Sequence, residues 1–260
     1  MKKWNLIGTL ALGAMLLAAC GDDAANEKGN EKAETGDKKV LEMATSADFP
    51  PFESRNTAGE LEGFDIELAN YIADELGYKL EIKDMKFDGL IGALQNDRID
   101  MVLSGMSATD KRKENVDFST EYNRSGEMFI TLKDSDVQSI EDLKGKKLGV
   151  QLGTIQEDGA KKIKAETVDF EIKAVDNANI LIQELLSDRI DAAYVDKAVA
   201  KGFIAEQDLA GFDDPTSSSP GMGIAFPKGS DLVEKVNVVL KEAEESGKLQ
   251  ELKDKWLKEE

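Results

Sequence analysis

Residues 90–105, LIGALQNDRIDMVLSG, and residues 181–196, LIQELLSDRIDAAYVD, are two copies of one design. At an offset of 91, Leu90, Ile91, Leu94, Asp97, Arg98, Ile99 and Asp100 coincide with Leu181, Ile182, Leu185, Asp188, Arg189, Ile190 and Asp191. In each copy Leu, Ile and Leu recur at helical spacing, and a short apolar run follows the charged turn. That is the pattern of a helix feeding a buried strand. Two such α/β units in one chain of 260 residues imply two similar lobes.

The surrounding sequence continues the alternation. Residues 40–45 form a short apolar strand pattern, and residues 64–76 carry Phe64, Leu68, Tyr71, Ile72 and Leu76 on one stripe before Gly77 ends it. Residues 139–144 predict a capped turn of helix stopped by Gly145, residues 147–151 another strand, and residues 232–257 one long charged helix. The order is β then α throughout, which predicts an α/β fold with largely parallel sheets. In open sheets of that kind ligands sit beyond the carboxyl ends of the strands, so residues 46–52, 104–112, 151–156 and 195–196 are the places to search.

Composition removes several kinds of function. The chain has no His, which excludes Ser-His and Cys-His nucleophiles and imidazole-ligated metal sites, and no metal or cofactor motif stands in their place. One Cys allows neither an internal disulfide nor a thiolate cluster. A net charge of -19 argues against nucleic acid as a partner, because neutralising phosphates needs clustered Lys and Arg. With 41% hydrophobic residues the chain is not a disordered acidic tail.

The amino end reads as a sorting signal. Met1-Lys2-Lys3 precedes an apolar run over residues 6–19, too short to span a bilayer as a helix of about 20 residues. Leu17-Ala18-Ala19-Cys20 resembles a bacterial lipobox, which implies a signal peptide at 1–19 and lipidation of Cys20, palmitate included. Loss of Lys2 and Lys3 with the signal takes the net charge from -19 to -21. Residues 21–38, GDDAANEKGNEKAETGDK, cannot form a core and read as a flexible tether reaching roughly 20 to 25 Å. The expected location is the outer face of the bacterial cytoplasmic membrane, held by the lipid without a membrane-spanning helix.

The strand ends offer chemistry for a zwitterion. In SGMSATDKR (104–112), which offers Gly105, three hydroxyls and an Arg, Arg112 can fork onto a carboxylate, with Ser107 and backbone N–H groups completing the shell; a surface Arg after a hydroxyl-rich cap is the plainer alternative. In QLGTIQE (151–157), Gly153 and Thr154 mark a strand-to-helix turn able to offer amides to an anion, flanked by Gln151 and Gln156, or simply a turn. Asp196 ends the second strand of the repeat, where it either accepts a ligand ammonium or caps the next helix. Ser46 immediately precedes the ADFPPFE loop, which holds Phe49 and Phe52, and Phe87 precedes DGLIGAL; loop aromatics can stack on a ligand, while Phe52 reads as core. An anion-binding group and an acid on opposite lobes are what a free amino acid requires.

With these residues in hand, the chain resembles the amino-acid-binding proteins of bacterial ABC importers, the polar amino acid group of solute-binding proteins. GFDIELANYIADEL (63–76), SGMSATDKRKENVDFSTEY (104–122), VQLGTIQE (150–157) and GIAFPKGS (223–230) carry the likeness, which covers essentially all of residues 39–260. The resemblance implies a two-lobed periplasmic-binding-protein-like fold with the ligand cleft between lobes. Lobe one would be 39–121 plus 223–260, lobe two 127–217, and the hinges 122–126 and 218–222. It further implies that Arg112 takes the α-carboxylate with Ser107 and Thr154, that the Gly105 carbonyl and Asp196 take the α-ammonium, and that Phe49 and Phe87 sandwich the side chain. At Ser46 the chain departs from histidine- and lysine-binding members, which usually carry an acid there.

TSAD..PFE, VQLG.IQE and SDR.DAA look most like arginine-binding lipoproteins, and a guanidinium between the two rings with Asp48 or Glu53 nearby is physically sensible. The expectation is thus a monomeric binding protein, not an enzyme, that captures arginine or another basic amino acid, with glutamine next. It would need no cofactor, and its partners would be an ABC permease and its ATPase subunits. The alternatives are a dehydratase of the same fold and a ligand-sensing lobe for a signalling partner.

Overall fold

Both copies of the repeat adopt one conformation. In this computed structural model, which describes residues 39–257, the first copy is a helix (Leu90–Gln95) leading to a strand (Met101–Val102), and the second a helix (Ala178–Leu186) leading to a strand (Ala192–Asp196). Asp97 and Asp188, just after the helices, take positive φ of 50° and 54°. A short polar side chain tolerates that left-handed turn better than most. Three residues on, Asp100 and Asp191 each accept a backbone N–H from the parallel strand alongside, Glu42 N at 2.8 Å and Lys147 N at 2.7 Å. Each returns its own N–H to the carbonyl of that same residue, at 2.8 Å in both halves. The sequence repeat is also a repeat of hydrogen bonds.

Along the chain, β1 (Val40–Thr45) is followed by a small hairpin of β2 (Ser54–Arg55) and β3 (Leu61–Glu62), then α1 (Phe64–Glu75), β4 (Lys79–Asp84), α2 (Leu90–Gln95), β5 (Met101–Val102), α3 (Asp110–Lys113) and β6 (Asp117–Phe118). The chain then passes to a second sheet through β7 (Glu127–Leu132), β8 (Lys147–Gln151), α4 (Ile155–Glu166), β9 (Glu171–Val175), α5 (Ala178–Leu186), β10 (Ala192–Asp196), α6 (Lys197–Gln207) and β11 (Leu209–Asp213). It returns for β12 (Ala225–Phe226), α7 (Leu232–Glu245) and α8 (Lys248–Trp256). The sheet orders are β4-β1-β5-β12-β6 and β11-β7-β10-β8-β9. Two α/β halves with a cleft between them result, the two-lobed architecture that the sequence predicts.

Neither sheet is wholly parallel. The trios β4-β1-β5 and β10-β8-β9 are parallel, but β12 runs against β5 and β6, and β7 against β10 and β11. β7 and β12 are the strands on which the chain enters one half from the other. No helical crossover within the same sheet precedes them to turn them parallel. The two passages lie side by side, with Met222 N donating to Asn123 O at 2.8 Å and Tyr122 N to Met222 O at 3.0 Å.

Pleating sends alternate residues to opposite faces. In the second half Ile130, Ala193 and Val195 pack under α5 and α6 with Leu181, Leu185, Val199 and Phe203, whereas Phe129, Ala192 and Tyr194 join Leu148, Val150, Ala160 and Ile163 under α4. In the first half Leu41 and Met43 meet Leu68, Ile72, Val236 and Leu240, while Ala44 and Val102 meet Leu90 and Leu94 of α2 on the other face. The predicted single helix over 232–257 is broken: Gly247 takes φ 81° and divides α7 from α8. The turn at 139–144 is a short 3-10 segment, Glu141–Leu143, with the Ser139 hydroxyl donating to Asp142 at 2.8 Å. Among the described residues no helix is long and apolar enough to cross a bilayer. The signal segment, Cys20 and the tether lie outside the described residues.

Candidate functional site

The loops after β1, β5, β8 and β10, all at carboxyl ends of strands in the parallel trios, converge on one cavity. Nine of the ten residues named from the sequence line it: Phe49, Phe87, Gly105, Ser107, Arg112, Gln151, Thr154, Gln156 and Asp196. The tenth, Ser46, does not. It is buried behind the loop, where its hydroxyl donates to Asp48 Oδ1 at 2.9 Å. Asp48 takes the place beside the cavity, and Ile155 lines it as well. Glu53, considered above as an acid near the ligand, is fully buried outside the lining. Phe52 is core, edge-on to Phe64 at 6.4 Å between ring centroids.

Arg112 is aimed by a very short helix. Thr109 caps α3 by accepting the Arg112 N–H at 3.2 Å, and the guanidinium folds back so that Nη1 donates to Ser107 O at 2.7 Å. Nη2 crosses the cleft to Gly153 O at 3.0 Å, and the guanidinium carbon lies 5.3 Å from the Phe87 ring centroid. A guanidinium carries five N–H bonds. Two are taken by carbonyls here, and among the described residues no carboxylate pairs with the group. Removal from water lowers its pKa to about 10, only partly opposed by Asp158. Such a cation is still charged at neutral pH and gains most from an anion in the cavity.

The anion end has a second, independent contributor. Thr154 is the N-cap of α4: its hydroxyl accepts Glu157 N at 3.2 Å and donates to Gln151 O at 2.7 Å. The first turn of a twelve-residue helix therefore abuts the cavity through Thr154, Ile155 and Gln156, bringing its positive dipole end to the place Arg112 occupies. The Thr154 side chain is committed to the cap.

Asp196 supplies the opposite charge. Asp196 caps α6, with Oδ1 accepting Ala198 N at 2.8 Å and Ser125 Oγ at 3.0 Å, and it also lines the cavity. Burial raises its pKa to about 6, against the hydrogen bonds, which lower it. No cation pairs with it among the described residues. Asp48, also buried, has no cation partner there either; its Oδ2 accepts Gln151 Nε2 at 3.1 Å and Ala178 N at 2.8 Å, both from the other half. Burial again pushes its pKa up.

Phe49 and Phe87 are half-buried walls of the same space. Phe49 leans on Phe52 with centroids 6.1 Å apart and presses on Gly105, where an added Cβ would come within 3.2 Å of the ring. Gly105 has φ +50°. Gly105→Ala combines that strain with the ring contact, and equilibrium denaturation is expected to show a loss of about 1–3 kcal/mol.

The model of the bacterial extracellular solute-binding proteins, family 3, matches residues 41–259. The chain belongs to that family. It is 43% identical over 259 residues, 98% of each chain, to the arginine-binding extracellular protein ArtP of Bacillus subtilis (strain 168). Among solved structures, an ancestral arginine-binding protein bound to arginine superposes with TM-score 0.81 at 40% identity, covering 86% of this chain and 100% of the other. An ancestral arginine-binding protein bound to glutamine superposes with TM-score 0.80 at 41% identity, covering 85% of this chain and 99% of the other. The cleft of this solute-binding protein thus carries an unpaired cation, a helix N-terminus, an unpaired acid and two aromatic walls in one space.

Proposed function

We propose that this solute-binding protein captures one free polar amino acid, arginine or another basic amino acid before glutamine, and delivers it to an ABC importer without chemical turnover. The observation that carries the reading is the pair of uncompensated charges in one cavity: Arg112 with the α4 N-terminus for the α-carboxylate, Asp196 for the α-ammonium. Each ionic group would be paired as the cleft dries, which buried charges require. Phe49 and Phe87 would hold the side chain between them, and the Asp48 carboxylate favours a cationic end over a neutral one.

Residues 122–126 and 218–222 would serve as hinges between lobes 39–121 with 223–260 and 127–217, and the two loops that touch through Arg112 and Gly153 would part when the cleft opens. Lipidation of Cys20 at the outer face of the cytoplasmic membrane, and work as a monomer beside a permease and its ATPase subunits, complete the proposal. A thermal-shift screen of the twenty amino acids tests it. A ligand present at about a hundredfold its Kd adds about 2.7 kcal/mol to native stability and raises Tm, and the largest rise is expected with arginine. No rise with any amino acid would remove the reading.

A further inference from the structure

Beneath the cavity, Glu53 and Asp65 are fully buried. The charged and titratable groups acting on them are Asp48 from the β1 loop, Tyr122 from the first passage between halves, and each other, with Asp196 acting on Tyr122 from the second half; no cation is among them. Asp65 Oδ2 accepts Gly105 N at 2.7 Å and Tyr122 Oη at 2.9 Å. Glu53 Oε1 accepts Ser104 Oγ at 2.9 Å, and Ser104 Oγ accepts Ser46 N at 3.0 Å. Glu53 also exchanges backbone hydrogen bonds with Phe49, at 2.9 and 3.2 Å. The remaining oxygens, Glu53 Oε2 and Asp65 Oδ1, have no donor, yet the two carboxyls lie within hydrogen-bonding reach of each other.

Two ionised carboxyls within reach of each other in a dry site repel, and each leaves a bare oxygen there; one proton shared between the two carboxyls relieves both costs. We propose that Glu53 and Asp65 share a single proton in the native protein and act as a positioning pair that holds the Gly105 and Phe49 segments of the ligand cavity in register. The proton resides on Glu53, because Asp65 receives two donors against one for Glu53 and is the better-stabilised anion. Burial and the Asp65 charge raise the Glu53 pKa well above its usual range, while Asp65 rises only to about 6.

The sign of the pH effect follows. The native state holds a proton that the unfolded chain has released above about pH 4.3, so stability falls as pH rises from there toward the native pKa of the pair. Glu53→Gln supplies a permanent N–H to Asp65 and a carbonyl to Ser104, so it mimics the protonated form; Glu53→Ala leaves Asp65 Oδ1 bare.

The test uses the purified protein, with infrared spectra and binding of arginine as probe measured at pH 8 and Tm followed from about pH 5 to pH 8. Expected are a protonated-carboxyl infrared band that is lost in E53Q, a shallower fall of Tm with pH in E53Q than in wild type, an E53Q Kd within about threefold of wild type, and an E53A Kd raised about tenfold or more. An identical band in wild type and E53Q, or an unchanged Tm slope, overturns the shared proton. An E53A variant that binds like wild type overturns the positioning role. Only the Kd arm rests on the proposed amino-acid binding: if wild type binds no amino acid, that reading fails while the band and the Tm slope still decide the proton.

Discussion

Arg112→Ala is expected to weaken amino-acid binding at least about a hundredfold, seen by calorimetry on a protein that unfolds as cooperatively as wild type. Truncating one member of a buried, hydrogen-bonded charge pair costs about 2–5 kcal/mol, much of it from leaving the partner charge unpaired. Arg112 is half-buried and already held at the cavity by two carbonyls, so the guanidinium is preorganised for the carboxylate rather than assembled by it. In the free protein the side chain serves two carbonyls, Ser107 O and Gly153 O, and losing two neutral-acceptor bonds is offset by no longer burying an unpaired cation. Stability should therefore move by about 1 kcal/mol or less. Arg112→Lys keeps the charge but not the planar fork and should fall between the two. Unchanged calorimetric binding in Arg112→Ala would remove the carboxylate assignment.

The outcome separates two roles that the sequence left open. Read by residue type alone, SGMSATDKR leaves Arg112 open between a surface Arg after a hydroxyl-rich cap and a fork for a carboxylate; only the family resemblance favours the fork. What places the side chain at the cavity is the one-turn helix α3, whose Thr109 cap turns Arg112 back toward Ser107 and the Phe87 ring. Four residues give no periodicity, so that turn is invisible until the chain is folded. The repeat, by contrast, was legible because its two copies preserve both the apolar spacing and the aspartates that bond to the neighbouring strand.

Other differences share that cause. β6 and β12 have two residues each, too short for an alternation to show, and it is β12 and β7 that make the sheets mixed. The break at Gly247 was signalled by the Gly itself, inside a run whose apolar spacing otherwise continues. Ser46 departs from expectation, while Asp48, named as an acid near the ligand, does reach the cavity: two residues apart on an irregular loop, neither has a strand or helix to fix its direction. The Glu53–Asp65 contact joins two motifs that each read as local, a loop and a helix start, and only the tertiary structure brings their carboxyls together.

At the other pole of the ligand, Asp196→Asn is expected to cost about a hundredfold in affinity at pH 7.5 and to flatten most of the pH dependence expected of wild type. The free protein holds Asp196 at a pKa of about 6, raised by burial. An ammonium binds the ionised form, so ligand and proton compete: above that pKa affinity is flat, and below it affinity falls about tenfold per pH unit. Measured by calorimetry, wild-type Kd should rise about tenfold between pH 7.5 and 5. Glu127, facing Asp196 across the strand pair, has its pKa raised to about 7 by burial and loses its charge first as pH drops, which widens the transition without reversing its sign. Asn keeps an oxygen to accept Ala198 N, and Asn and Asp are equally good helix caps, so α6 should survive the change. A variant that binds tightly, or a wild-type Kd constant from pH 7.5 to 5, would show that Asp196 only caps its helix. The ammonium would then have to be sought at the Gly105 carbonyl alone.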